Sequence, residues 1–300
     1  MTDFPSYLAQ RLTRKGSNLA PLTVQSYLQT ARVFAQWYQA TYHEPMEAHL
    51  TNYDMRQFAH WSKDTQRVQP ATWNARRAGL VAFCEWLGDP SLMAGVTVID
   101  SVDPHNIRWM DERNWGRFIR AVEHLPKQEN TALQNLAAYR TQALCALMAF
   151  AGLRVFEVMA LHTSDVLLGE RGGAVNIRNG KGAVARKVPL GVEARKLIAP
   201  WHASRPDGLL FDISKRQAQR AILDIGQDAH IQFDDSLRPN LSCHDLRSTY
   251  AKRVLKVKYA DGTSIPLTHV QRLLGHKRLE TTGRYVDAAW DELAAVVEYL

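Results

Sequence analysis

The chain has 300 residues, enough for one or two domains that each bury a core, and it carries a net charge of +7 with a pI near 9.4, which admits an anionic partner. Its three cysteines, Cys84, Cys145 and Cys243, lie far apart and form no C-x-x-C pair, which argues against a disulfide scaffold or a zinc site and for reduced thiols. The longest apolar run, Ala143 to Leu153, is too short to span a bilayer, and Met1-Thr-Asp-Phe-Pro lacks the basic-then-apolar order of a signal peptide, so a soluble cytoplasmic protein without membrane contact is expected.

The first hundred residues read as helical, without strands. Thr23 is expected to cap a helix reaching Tyr42, because Val24, Tyr27, Leu28, Ala31, Phe34, Ala35 and Tyr38 recur at three- and four-residue steps. A second helix starts near Thr51 or Asn52. A third follows Pro70 and ends at Gly88-Asp-Pro90. Beyond Pro90 the helical period fades, which divides the chain into residues 1–100, a linker over 101–108 and a second domain over 109–300. That domain opens with helices at Asp111–His124 and Leu133–Gly152, the latter holding the buried apolar run, and a short helix from Val155 to Leu161. Ala174–Arg178 and Ala185–Leu190 alternate like strands around a glycine-rich turn, Asn179-Gly-Lys-Gly182. Helices are expected again at Val192–Ala203, Ser214–Gln227, Cys243–Tyr259, Pro266–Leu274 and Asp287–Leu300. The fold class is therefore mainly α with one small antiparallel sheet.

The residues with chemistry crowd the second domain. Between Leu241 and Asp287 nine Lys/Arg face four Asp/Glu, the local surplus a DNA backbone surface requires. Arg154 stands in Gly152-Leu-Arg-Val-Phe-Glu157; a guanidinium is planar, permanently charged and able to hold two phosphate oxygens. Glu157 can pair with it or brace its turn. His244 and Arg247, at i and i+3, project from one helix face. His276 follows Gly275, which can end a helix. Tyr285 stands nine residues further on, and Lys181 sits at the tip of the proposed hairpin, where glycines permit close approach to DNA. Two guanidiniums, two imidazoles, an amine and a phenol suit attack on a phosphodiester without a metal. No compact Asp/Glu/His cluster argues for a metal-dependent nuclease.

The order and spacing of Ala151-Gly-Leu-Arg154-x-x-Glu157, His244-Asp-Leu-Arg247, Leu273-Leu-Gly-His276 and Tyr285 resemble the tyrosine recombinase (phage integrase) family over nearly the whole chain. The resemblance implies a two-domain, C-shaped clamp around duplex DNA, with a SAM-like core-binding domain ahead of the catalytic domain. It implies that Arg154 and Arg247 clamp the scissile phosphate, that His244 donates to it or serves as an acid/base, that His276 hydrogen-bonds it and helps orient the nucleophile, and that Lys181 protonates the leaving 5′-oxygen. Tyr285 is then the nucleophile of a 3′-phosphotyrosine intermediate, with no cofactor. Arg11, Arg14 and Lys15, placed ahead of the first helix, and Arg76 and Arg77 are candidates for backbone or groove contacts. The additional arm-binding module of the phage lambda type of integrase is expected to be absent.

An apolar stripe over Ala288, Ala289, Trp290, Leu293, Ala294, Val297 and Leu300 implies, in this family, a helix docked on a neighbouring protomer of a synaptic homo-tetramer. Accessory DNA-bending proteins and a nucleoid location belong to the same expectation. Two rival functions stand beside site-specific recombination through a Holliday junction: a type IB topoisomerase-like relaxing enzyme, and a DNA-binding regulator that keeps the fold without the chemistry.

Overall fold

Pro21 occupies the first turn of the first long helix, where its missing N–H would have no intrahelical partner and its φ is already helical. The helix α2 (Pro21–Tyr42) therefore starts ahead of Thr23, and its N-cap is Ala20, without a side-chain hydrogen bond. A further helix precedes it: α1 (Phe4–Gln10) is capped by Asp3, which accepts from the Ser6 N–H. It makes only about two turns, too few for a periodic signal. The structure is a computed structural model that describes residues 3–13, 16–44, 46, 50–99, 107–127, 131–178, 185–233, 239–277, 279–283 and 285.

The chain divides into two units, Met1–Pro104 and His105–Leu300. In the first, Thr51 and Asp54 form a reciprocal capping box that starts α3 (Asn52–His60), which continues as one wide turn through Thr65. The helix α4 (Pro70–Leu87) ends at Gly88, whose φ of 84° is the left-handed stop the sequence foretold. Phe34, Trp37, Phe58, Trp73 and Phe83 fill the core, with Phe34 set edge-on to Phe58 at 5.1 Å and 88°. The buried Trp73 indole keeps its hydrogen bond by donating to the Thr97 carbonyl at 3.0 Å.

Three of the basic candidates in this unit are engaged within it. Arg11 follows α1 instead of preceding the first helix, and its Nε and Nη2 donate to Glu85 Oε2 at 3.0 and 2.6 Å. Arg77 Nε donates to the Val96 carbonyl at 2.6 Å, and Arg76 Nη1 reaches Ser62 Oγ at 3.4 Å. Arg14 and Lys15 lie outside the described residues.

In the second unit, α5 (Glu112–Glu123) is capped by Asp111, and α6 (Ala132–Ala149) begins with a Thr131–Gln134 capping box. Every residue from Gln142 to Ala149 is buried, so the apolar run is the central core helix. After the short α7 (Val155–Met159) come three antiparallel strands in the order β1 (Val166–Leu168), β2 (Gly173–Ile177) and β3 (Arg186–Pro189). Val175 is paired with Val166 on one side and Val188 on the other, which seals the sheet's inner face. Strand β1 had no sequence signal because three residues are too few to show alternation.

The remaining helices are α8 (Val192–Ala203), α9 (Lys215–Asp228), α10 (Cys243–Lys256), α11 (Leu267–Leu274) and α12 (Leu279–Gly283). Helix α10 stops short of the expected Tyr259, because Lys258 turns away to bridge Ser264. The linker residues 101–106, the turn with Lys181 and the Ala288–Leu300 stripe lie outside the described residues. The chain is mostly helical with one small antiparallel sheet, as the sequence leads one to expect. Among the described residues no helix is long and apolar enough to cross a membrane.

Candidate active site

Gly152 makes the first bend of the site. Its φ is 64°, and a Cβ there would lie 2.7 Å from Tyr250 Cε1, so the position takes glycine for both conformation and space. The chain thereby leaves α6, buries Leu153 and presents Arg154 as the N-cap of α7. Arg154 Nη1 donates to Glu157 Oε1 at 3.0 Å and reaches the Leu274 carbonyl at 3.4 Å, while its backbone N–H donates to Glu157 Oε2 at 2.8 Å. Its side chain remains 27% exposed, and among the described residues Nε and Nη2 carry no hydrogen bond. Those donors are open to a ligand.

Helix α10 supplies the second guanidinium. Its first turn is pinned by Asp245, which closes a capping box with Ser242 and takes a two-pronged hydrogen bond from Arg108, Nε to Oδ1 at 2.9 Å and Nη2 to Oδ2 at 2.6 Å. Arg108 also lies 4.2 Å over the Phe233 ring. One turn further along, the buried Arg247 donates to the Gly152 carbonyl and, at 2.6 Å, to the Leu274 carbonyl. Burial, and next the charge of Arg154, press the Arg247 guanidinium down to about 9, so it stays charged at neutral pH. His244 shares the helix face but is exposed. Arg247 is thus brought to the other site groups, while His244 lies exposed one turn before it.

Gly275, at φ 64°, ends α11 and turns the chain so that the buried His276 faces the arginines. His276 Nδ1 lies 2.8 Å from Thr282 Oγ1, and its ring is stacked with that of Tyr285, the centroids 6.2 Å apart and the planes 9° from parallel. Tyr285 is 3% exposed, within a small apolar cluster with Tyr250, Ala251, Val270 and Leu274. Its side chain also lies near enough to the Arg247 guanidinium for the two to interact electrostatically. Arg154, Arg247, His276 and Tyr285 therefore meet at one place, about the C-terminal turn of α11. Lys181 is outside the described residues.

Glu157, which the first arginine motif included, also gathers groups that motif spacing did not single out. Glu157, its side chain 1% exposed, receives Arg154 and both terminal nitrogens of Arg186, at 3.0 and 2.9 Å. Burial alone would raise its carboxyl, but the Arg186 hydrogen bond and the neighbouring guanidiniums outweigh it and hold the group below the ordinary glutamate range. Arg186 stands five residues after Lys181 in the sequence. Arg108 and Thr282 gave no signal, since their partners lie elsewhere along the chain or in an ordinary helix turn. Three guanidiniums around one carboxylate leave the site with a positive excess, which favours an anionic ligand.

His276 makes that field measurable. Desolvation, followed by repulsion from Arg247, Arg154 and Arg186, lowers its imidazole from 6.5 to about 3, so it is neutral at working pH. Above pH 6.5 the ring is neutral folded and unfolded alike. As the pH falls below that, the unfolded chain takes up a proton that the folded site refuses, and stability drops. The expected loss is about 2 kcal/mol between roughly pH 6.5 and 5. Denaturant titrations across that window should be markedly flatter for His276→Asn; an unchanged slope would mean that the folded imidazole protonates normally.

Both units match known protein families. Residues 109–292 match the phage integrase family, and residues 10–89 match the phage integrase N-terminal SAM-like domain. The chain belongs to the phage integrase family, the tyrosine recombinases. It is 30% identical over 226 residues to tyrosine recombinase XerC of Neisseria gonorrhoeae, covering 72% of this chain and 68% of that protein. With XerC of Yersinia pestis it shares 27% identity over 307 aligned positions, covering 96% of each. In fold it is similar to the XerH site-specific recombinase bound to difH in a pre-cleavage complex, with a TM-score of 0.69 at 17% identity, covering 95% of this chain and 80% of that one. A lambda integrase dimer bound to a COC′ core site gives a TM-score of 0.66 at 17% identity, covering 96% and 77%.

Proposed function

We propose that this site-specific tyrosine recombinase cuts and rejoins duplex DNA with Tyr285 as nucleophile. The observation that carries the assignment is the meeting of Arg154, Arg247, His276 and Tyr285 about the Leu274 carbonyl and the turn that follows it. The Tyr285 oxygen attacks the scissile phosphorus as its phenolic proton passes to water, the bond to the 5′-oxygen breaks, and that oxygen leaves with a proton supplied by Lys181, which water then replaces. A 3′-phosphotyrosine and a free 5′-hydroxyl result. Arg154, through its open donors, and Arg247 hold the non-bridging oxygens where negative charge develops. A neutral His276 that accepts from Thr282 at Nδ1 keeps its proton on Nε2, ready to donate to the phosphate. His244, which is exposed, completes the hydrogen bonding.

Each exchange replaces one phosphodiester by another of similar energy, so the reaction calls for neither ATP nor a divalent metal. The 5′-hydroxyl of a partner duplex reverses the attack, and a second pair of exchanges resolves the Holliday junction. Such a sequence needs four active sites, which favours a synaptic homo-tetramer, with the apolar Ala288–Leu300 segment as the contact between protomers. The first unit would contribute Arg76, Arg14 and Lys15 to DNA contact, with Arg11 held by Glu85 and Arg77 by the Val96 carbonyl. DNA-bending accessory proteins and a nucleoid location fit this scheme. The relatives named XerC, and the DNA-bound XerH and lambda integrase structures, support it.

A nicked duplex that loses its 5′ fragment on cleavage tests the proposal. Covalent protein–DNA product is expected, together with exchange between two target sites. Retardation of the DNA without covalent product would instead favour a regulator. Relaxation of supercoils on any sequence, with no exchange, would favour a topoisomerase.

A further inference from the structure

Arg186 opens strand β3, and its side chain is 6% exposed. No step of the chemistry above uses it, yet its guanidinium reaches three acceptors on two separate elements. Nη1 donates to Glu157 Oε1 at 3.0 Å and Nη2 to Glu157 Oε2 at 2.9 Å, while Nε donates to the Leu273 carbonyl at 2.8 Å. We infer that Arg186 is a positioning residue for strand cleavage: it locks the Glu157 carboxylate to the C-terminal turn of α11 and so sets the spacing of Arg154, Arg247 and His276. The inference rests on the recombinase chemistry proposed above and deepens it.

The geometry of the lock supports this role. A guanidinium is rigid and planar, so binding both oxygens of one carboxylate and a carbonyl with the third nitrogen fixes the carboxylate plane relative to α11. One group it holds aims the phosphate clamp directly, and the other adjoins the carbonyl that does. Glu157 takes Arg154 Nη1 and the Arg154 backbone N–H, and the carbonyl next to Leu273, that of Leu274, takes Arg154 and Arg247. Two residues beyond Leu274 comes His276. Gly275, between them, is shaped around the same side chain, for a Cβ there would lie 2.6 Å from Arg186 Nη1.

Charge balance alone does not account for Arg186. Arg154 already pairs with Glu157, and a further cation repels Arg247 and His276, both of which feel its charge. What it adds is direction. Lysine keeps the charge but offers a single nitrogen, which cannot meet three acceptors in one plane.

Single-turnover cleavage of a nicked target duplex by the full chain tests the assignment, since rate reports positioning and amplitude reports the folded fraction. For Arg186→Lys the rate at saturating DNA should fall about 100-fold, the loss typical of a misplacement near 1 Å. Amplitude and target affinity should stay within about 3-fold of wild type. Combined with Glu157→Gln, the double variant should be no slower than the slower single, because both act on one lock. A normal rate with reduced amplitude would overturn the inference, and so would losses that multiply in the double variant. If Arg186→Lys does not fold, Arg186→Met carries the same readout, because it leaves Glu157 compensated by Arg154 and Arg247. Absence of covalent product from the wild type would count against the recombinase chemistry itself.

Discussion

Tyr285→Phe is expected to lower the yield of covalent protein–DNA adduct by at least about 10⁴-fold, the scale on which loss of a nucleophile acts. Binding to target DNA should change little. Phenylalanine fills almost the same volume, and what holds the Tyr285 ring is its packing against His276 and the small apolar cluster around Leu274. Thermal unfolding should therefore stay close to that of the wild type. Denaturing gel analysis after incubation with a nicked duplex reads the adduct directly, and a filter-binding titration on the same preparation reads affinity. Adduct formation at the wild-type level would remove Tyr285 from the reaction. The two other tyrosines close by in sequence have settings of their own. Burial pushes the Tyr250 phenol up to about 12, and the Tyr259 hydroxyl lies 2.9 Å from His269 Nδ1 on an exposed surface.

Glu157→Gln is the substitution with the largest expected effect on stability. The amide is isosteric but neutral, so Arg154, Arg186 and Arg247 would face one another around a group without charge. Two of those side chains are nearly enclosed, at 6% and 3% exposure. Removing one member of a buried charge cluster costs about 3 kcal/mol, which for a unit of this size lowers the unfolding midpoint by roughly 10 °C. The pH dependence follows from the same carboxylate. Its folded value lies below the ordinary 4.5, so its stabilisation is fully present above that pH and is lost as the pH falls through the lowered folded value. Differential scanning calorimetry near pH 7 and again near pH 4 should show the gap between wild type and Glu157→Gln shrinking in acid. A constant gap would mean that Glu157 acts through shape alone.

Much of the catalytic unit was legible because its signals are local. The helices over Leu133–Gly152 and Ser214–Gln227, the glycine stop at Gly275 and the spacing of His244 to Arg247 depend on residues within a turn or two of each other. The boundaries that moved did so for equally local reasons. Pro21 replaced Thr23 as the start of α2, and the three-residue strand β1 was too short to show a period.

The basic residues of the first unit went differently. Arg11 and Arg77 were equal candidates for DNA contact until the fold supplied Glu85 and the Val96 carbonyl as partners. A charged side chain carries no mark in the sequence that tells whether it meets solvent, ligand or another part of its own chain.

The amino-acid order by itself determined the helical class, the small sheet, the family and the residue types able to attack and hold a phosphodiester, since these follow from periodicity and short motifs. Only the tertiary structure decided that Arg247 is buried against the Gly152 and Leu274 carbonyls while His244 stays exposed, that one carboxylate gathers three arginines, and that Arg186 ties β3 to α11. Those relations join groups up to 95 positions apart. They arise from burial and from hydrogen bonds that become worthwhile only once water is excluded, and neither is encoded in the spacing of neighbouring residues.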